Sequence, residues 1–119
     1  MSSDNPLNLR GIEFTEFCGP SVDALERLFL ALGFSKLRRH PAFDITYFRQ
    51  NDIHFLLNAE KAGFNAEFSR VHGPSICSMG WRVDDAKFAL QEAVRLGARA
   101  AEPATTGLAY PAIYGIGDS

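Results

Sequence analysis

No apolar run in this sequence approaches the roughly 18 residues that a membrane-crossing helix needs. The polar N-terminal stretch, residues 1–10, also lacks the apolar centre of a secretory signal. Both shortages predict a cytoplasmic protein. Charge of one sign is scarce too: 12 Lys and Arg stand against 14 Asp and Glu, a net charge of −2. That excludes the basic excess by which nucleic-acid binders hold phosphate. Cysteine is limited to Cys18 and Cys77, which make no disulfide framework, and neither belongs to a CxxC pair or lies near a spaced histidine pair. What is plentiful is phenylalanine, ten residues of 119, beside a single tryptophan, Trp81. These rings suit an aromatic core and a ligand pocket equally well. With 46% apolar and 22% charged residues, the chain has the composition of one globular domain and not of a disordered segment. Its length allows about two thirds of the unfolded surface to be buried.

Residues 11–17 (GIEFTEF) alternate, with Ile12 and Phe14 on one face and Glu13 and Thr15 on the other, which predicts a strand. Gly19 and Pro20 break it, and Ser21 stands where a helix N-cap belongs. Leu25, Leu28, Phe29 and Leu32 then follow amphipathic-helix spacing, closed by Gly33. Three strand-like runs follow at 34–39, 45–50 and 53–58. Pro41 and Asp44 part the first two, and Asn51-Asp52 suits a two-residue hairpin between the others. Phe64, Phe68 and Val71 predict a short helix over 62–71, stopped by Gly73 and Pro74. Residues 75–83 read as a strand, Asp84 or Asp85 as a cap, and 86–96 as a helix that Gly97 closes. Strand-like runs return at 99–103 and 111–116.

A shift of 64 positions overlays Ile12 on Ile76, Phe17 on Trp81, Ser21 on Asp85, Leu32 on Leu96 and Gly33 on Gly97. Agreement at one offset points to a repeated structural unit. After a loose leader at 1–10, unit one (11–59) reads strand–helix–three strands, 60–74 supplies a connecting helix, and unit two (75–119) begins alike. Unit two ends without its last strand, which would leave a row of unpaired backbone groups. The expectation is therefore a fragment, or an edge that something else covers. The fold class that results is α+β: tandem βαβββ units, the second lacking its last strand. Phe14 and Trp81 are expected to fill the space between the sheets or to lie under the helices.

Chemistry-bearing residues are few. His40, His54 and His72 share no spacing that places two on one face of an element, and His72 suits the C-terminal end of a helix dipole. Glu13 and Glu16, three apart in a strand, face opposite sides. That predicts one solvated and one hydrogen-bonded carboxylate and not an acid–base pair. Cys77 has no neighbouring base and reads as a buried thiol. Lys36, Arg38, Arg39 and Arg49 suit a solvated strand face as well as an anion patch. Gly115-Ile116-Gly117 has no helix after it to present to a phosphate and reads as a turn, while Ala104 to Gly107 reads as a polar loop.

Specific blocks carry a resemblance. GIEFTEF (11–17), ALGF (31–34), YFRQNDIHFLLN (47–58), HGPSIC (72–77), WRVDDA (81–86), LGA (96–98) and PAIYGIG (111–117) are similar, in order and spacing, to the N-terminal domain of bacterial 4-hydroxyphenylpyruvate dioxygenase. That family has the vicinal-oxygen-chelate (glyoxalase-like) fold. The resemblance implies a longer protein with two such domains. A non-haem Fe(II) is held in the C-terminal one by two His and one Glu, leaving positions open for a 2-oxo acid and dioxygen. It implies the conversion of 4-hydroxyphenylpyruvate and O₂ to homogentisate and CO₂, in tyrosine catabolism. The family's first two ligand places fall here on Phe14 and Ser78, neither an iron ligand, and the third beyond Ser119. This chain is therefore expected to have no catalytic, cofactor-binding or metal-binding residue. The implied role is structural, with the C-terminal catalytic domain and further copies in a homo-oligomer as partners, and with no nucleic acid or membrane. Two other readings stay open. One is a stand-alone glyoxalase-fold module that binds a small ligand; the other is the same domain of a hydroxymandelate synthase-like enzyme.

Overall fold

Phenylalanine spacing and strand alternation resolve into five strands and three helices in a computed structural model describing residues 4–102, 110–115 and 119. In chain order these are β1 (Leu9–Cys18), α1 (Asp23–Ala31), β2 (Ser35–Arg39), β3 (Ile45–Gln50), β4 (Ile53–Asn58), α2 (Phe64–His72), β5 (Ser75–Val83) and α3 (Ala86–Arg95). They form an α+β fold around one mixed sheet of order β2-β3-β4-β1-β5. Strand β1 runs parallel to β4 and antiparallel to β5, and β2, β3 and β4 form an antiparallel meander.

Local chemistry sets most boundaries. Asn51, at φ 51, opens the β3–β4 hairpin, and Gln50 pairs with Ile53 across it. Asp85 caps α3 by accepting from the Phe88 N–H at 3.0 Å. Gly33, at φ 98, ends α1, and the Phe34 N–H reaches back to the Phe29 carbonyl. Ser21 does not cap α1. Val22 occupies the N-cap with no side-chain hydrogen bond, and the acidic Asp23 and Glu26 of the first turn face the positive end of the helix dipole instead. Helix α2 starts at Phe64 and not two residues earlier, because Gly63 has φ 92 and lies outside the helical region.

The core lies between α1 and one face of the sheet. Phe29 of α1 is ringed by Phe17, Phe34, Phe48 and Phe55, with centroids 4.9 to 6.1 Å away. Phe34 stacks on Phe55 at 4.4 Å, and Leu57, Val22 and Leu25 complete the cluster. Around Phe29 the rings meet edge-on or tilted, arrangements that the aromatic quadrupole favours. The phenylalanine excess is thus largely a packing feature.

Three expectations change in the folded chain. Register shifts along β1–β5 put an extra residue, Glu13, between the pairs Ile12–Trp81 and Phe14–Gly80. Trp81 and Gly80 are consecutive, so Ile12 and Phe14 lie on opposite faces and not on one. Trp81 is 53% exposed and not interior. Residues 99–103 and 111–116 form no strand among the described residues. They meet in a single bridge, Ala100 to Ile113, with hydrogen bonds joining Ala101 to Ala112 and Tyr114 to Arg99. Two short segments without a third strand form only a marginal ladder. The turn at Gly115–Gly117, the loop at Ala104–Gly107 and parts of both runs lie outside the described residues. The leader is anchored at its described end, where Asn5 bonds both backbone groups of Leu9.

Phe29→Ala should lower unfolding free energy by about 3–5 kcal/mol in urea titration, because it empties the centre of the aromatic cluster. Trp81→Ala should cost under about 1 kcal/mol, as an exposed side chain does.

Candidate functional site

The register of β1 on β5 builds the site. Glu16 faces Ser78, Thr15 faces Met79 and Phe14 faces Gly80. Thr15 and Met79 are themselves related by the 64-position repeat, so the local two-fold relating the two units passes through this pair. Phe14 and Ser78, the two places to which the resemblance assigns metal ligands, are exchanged by that axis and lie diagonally across the strand pair.

Both places are taken up by packing. The Phe14 ring lies over Gly80 so closely that a Cβ there would fall 2.2 Å from a ring carbon. The same ring approaches Tyr110, with centroids 6.1 Å apart. The Ser78 hydroxyl donates to Glu16 Oε1 at 2.5 Å, and the Asn58 amide donates to Glu16 Oε2 at 2.8 Å. Glu16 is buried, so this clasp ties β4, β1 and β5 together through one carboxylate. Each carboxylate oxygen has a donor, as a buried anion requires.

The remaining candidates are dispersed. Glu13 is exposed and accepts from Arg82 Nε at 2.6 Å, which holds its carboxyl below the usual range. Glu13 and Glu16 therefore have separate partners and make no acid–base pair. Cys77 and Cys18 are fully buried. Burial pushes both thiols up, the Glu16 charge reinforces the shift, and Cys77 Sγ points at the Glu16 carbonyl at 3.7 Å. Neither has the thiolate character of a nucleophile. His40 sits in the β2–β3 connection, His54 on β4 with its Nδ1 2.6 Å from the Tyr47 hydroxyl, and His72 at the end of α2 against the Phe68 ring. Lys36 and Arg39 are paired with Glu26 and Asp44, and Arg49 Nε donates to the Asn51 carbonyl, so the basic residues are spread over separate partners.

Among the described residues, no group of three or more His, Cys, Asp or Glu could hold a metal ion. The two inherited places do not fit iron either: Phe14 has no donor atom, and Ser78 offers only a neutral hydroxyl, a poor ligand for Fe(II). What the arrangement does chemically is join strands and fill the space beside them. Spacing did not reveal the Glu16–Asn58–Ser78 clasp. Its available signal was a glutamate two residues before Cys18, on the same face of β1.

Gly80→Ala should destabilise the chain by about 1–3 kcal/mol, the usual cost of overpacking. Adding Phe14→Ala should recover part of that loss in the double variant, read by thermal unfolding. With Ellman's reagent, Cys18 and Cys77 should stay unreacted in the native protein and titrate only under denaturant.

Comparison with known proteins places the chain in a family. The family described as "Hydroxyphenylpyruvate dioxygenase, HPPD, N-terminal" matches residues 3–119. Protein MelA of Shewanella colwelliana is 58% identical over 118 residues, covering 99% of this chain and 34% of that protein. A 4-hydroxyphenylpyruvate dioxygenase of Pseudomonas sp. (strain P.J. 874) is 39% identical over 116 residues, covering 96% of this chain and 32% of that protein. The chain thus spans about a third of the length of these curated relatives. A solved xylose isomerase-like TIM barrel/4-hydroxyphenylpyruvate dioxygenase fusion protein superposes with a TM-score of 0.80 at 32% identity, over 98% of this chain and 20% of that one. The chain belongs to the hydroxyphenylpyruvate dioxygenase N-terminal domain family, of glyoxalase-like fold.

Proposed function

We propose that this chain is the non-catalytic N-terminal domain of an Fe(II)-dependent 4-hydroxyphenylpyruvate dioxygenase. Such an enzyme converts 4-hydroxyphenylpyruvate and O₂ to homogentisate and CO₂ in tyrosine catabolism. The observation that carries the reading is the occupation of the two ligand places by Phe14 and Ser78, in a chain whose family match runs from residue 3 to 119. The iron supplies its chemistry in the C-terminal domain. The residues of this chain hold no part of it, and they bind no substrate.

Its role is to pack against the catalytic domain and to contribute contacts in a homo-oligomer. Residues 11–119 act as one domain, with units 11–59 and 75–119 joined through 60–74. Support for a covered surface comes from β5, the outermost strand among the described residues, which leaves Ile76, Met79 and Trp81 40 to 53% exposed. A long apolar edge of this kind calls for a cover. The two free, buried thiols accord with a cytoplasmic location, where thiols stay reduced.

Equilibrium dialysis of the purified chain against Fe(II), Co(II) and Zn(II) tests the reading. No stoichiometric binding at micromolar affinity is expected, and no homogentisate should form from 4-hydroxyphenylpyruvate and O₂. A stoichiometric site of that affinity would overturn it. In a longer enzyme carrying this domain, Ser78→Ala should lower the melting temperature yet leave kcat per folded molecule within about twofold, since the lost partner is a structural hydrogen bond.

A further inference from the structure

The connection from β2 to β3 is closed by an unusual acceptor. At its base the His40 N–H donates to the Ile45 carbonyl, and the Ile45 N–H to the Phe43 carbonyl, each at 2.8 Å. At its tip, two successive backbone N–H groups, those of Ala42 and Phe43, converge on one atom, His40 Nδ1, at 3.0 and 3.1 Å. Turns of this kind are commonly held by the side-chain oxygen of Asp or Asn. Here an imidazole nitrogen takes that place.

An imidazole nitrogen accepts a hydrogen bond only while it carries no proton. Two N–H groups aimed at Nδ1 therefore select the neutral ring with its hydrogen on Nε2. The only place left for a second proton is Nδ1, the atom the turn needs. Protonation and the closed turn exclude each other, because an imidazolium N–H would face two backbone N–H donors. We propose that His40 is a proton-operated latch on the β2–β3 connection, closed by neutral imidazole and released by imidazolium.

The surroundings make release local. The Asp44 carbonyl is anchored by the Ala59 N–H at 2.8 Å, and Arg39 pairs with the Asp44 carboxylate at 3.1 Å, so the ends of the connection stay fixed while residues 40–43 move. Arg39, Asp44 and Glu60 line the same open hollow of about 530 Å³ as His40 and Phe43, whose ring centroid is 5.0 Å from the imidazole. Arg39, Asp44 and Glu60 are the charged groups that line this hollow with the ring. The ring is half-buried, within reach of solvent protons. Imidazole is the side chain whose charge ordinarily changes between pH 5 and 8. Release would reshape the hollow, and an aspartate at this position would give no such release. The latch does not depend on the dioxygenase reading.

Two-dimensional NMR of the uniformly ¹⁵N-labelled chain, from about pH 8 to about pH 5, tests the latch. The His40 ring nitrogens should report the Nε2–H tautomer at the upper end. The Ala42 and Phe43 amides should shift and lose exchange protection with the ring's own midpoint, while amides in α3 hold still. His40→Asn, which keeps an acceptor without the titration, should stay closed across the range. Flat Ala42 and Phe43 amides through the ring's titration would overturn the latch. So would a ring that never takes up the proton in this range, or an unchanged transition in His40→Asn.

Discussion

The pairing of β1 with β5 governs the rest of the molecule. Their register places Thr15 opposite Met79, and with it the local two-fold that relates the two units. Once this is set, Glu16 must stand beside Ser78 and Phe14 beside Gly80, while the extra residue at Glu13 turns Ile12 to the other face. A one-residue slip would exchange the faces of every side chain on β1. It would also carry Glu16 away from both its donors. A buried carboxylate without partners costs several kcal/mol, so the clasp also selects the register it depends on.

The two faces of the sheet are stabilised by different physics. Toward α1, five phenylalanines pack as a non-directional apolar cluster, in which Phe29 and Phe48 are almost wholly removed from water. On the Glu16 face, cohesion is directional: one carboxylate accepts from Ser78 and Asn58, and a ring covers a glycine. The exposed ion pairs, Arg10–Asp84 and Arg82–Glu13 among them, add little, since charges in water gain only modest energy from pairing. Packing and one buried hydrogen-bond group therefore hold the chain together.

That division bears on function. A metal site on this fold needs donor atoms with free lone pairs facing a cleft. The two places that the resemblance assigns hold an aromatic ring without a donor and a neutral hydroxyl, a poor ligand for iron.

Sequence alone determined what depends on neighbours a few positions away. The Asn51-Asp52 hairpin, the Asp85 cap, the glycine ends of α1 and α3, the aromatic stripe of α1 and the 64-position repeat all follow from spacing and local hydrogen bonding. The places of Phe14 and Ser78 came from a family resemblance laid over that repeat. Only tertiary structure decided the Glu13 bulge, the Glu16–Asn58–Ser78 clasp, the contact of Phe14 with Gly80, the exposure of Trp81 and the single bridge where two strands were expected. These depend on which residue of β5 faces which residue of β1, some sixty positions apart in the chain. Strand alternation tells which residues share a face within one strand, but no local pattern encodes the offset between two strands. That offset is settled by all the side chains packing at once.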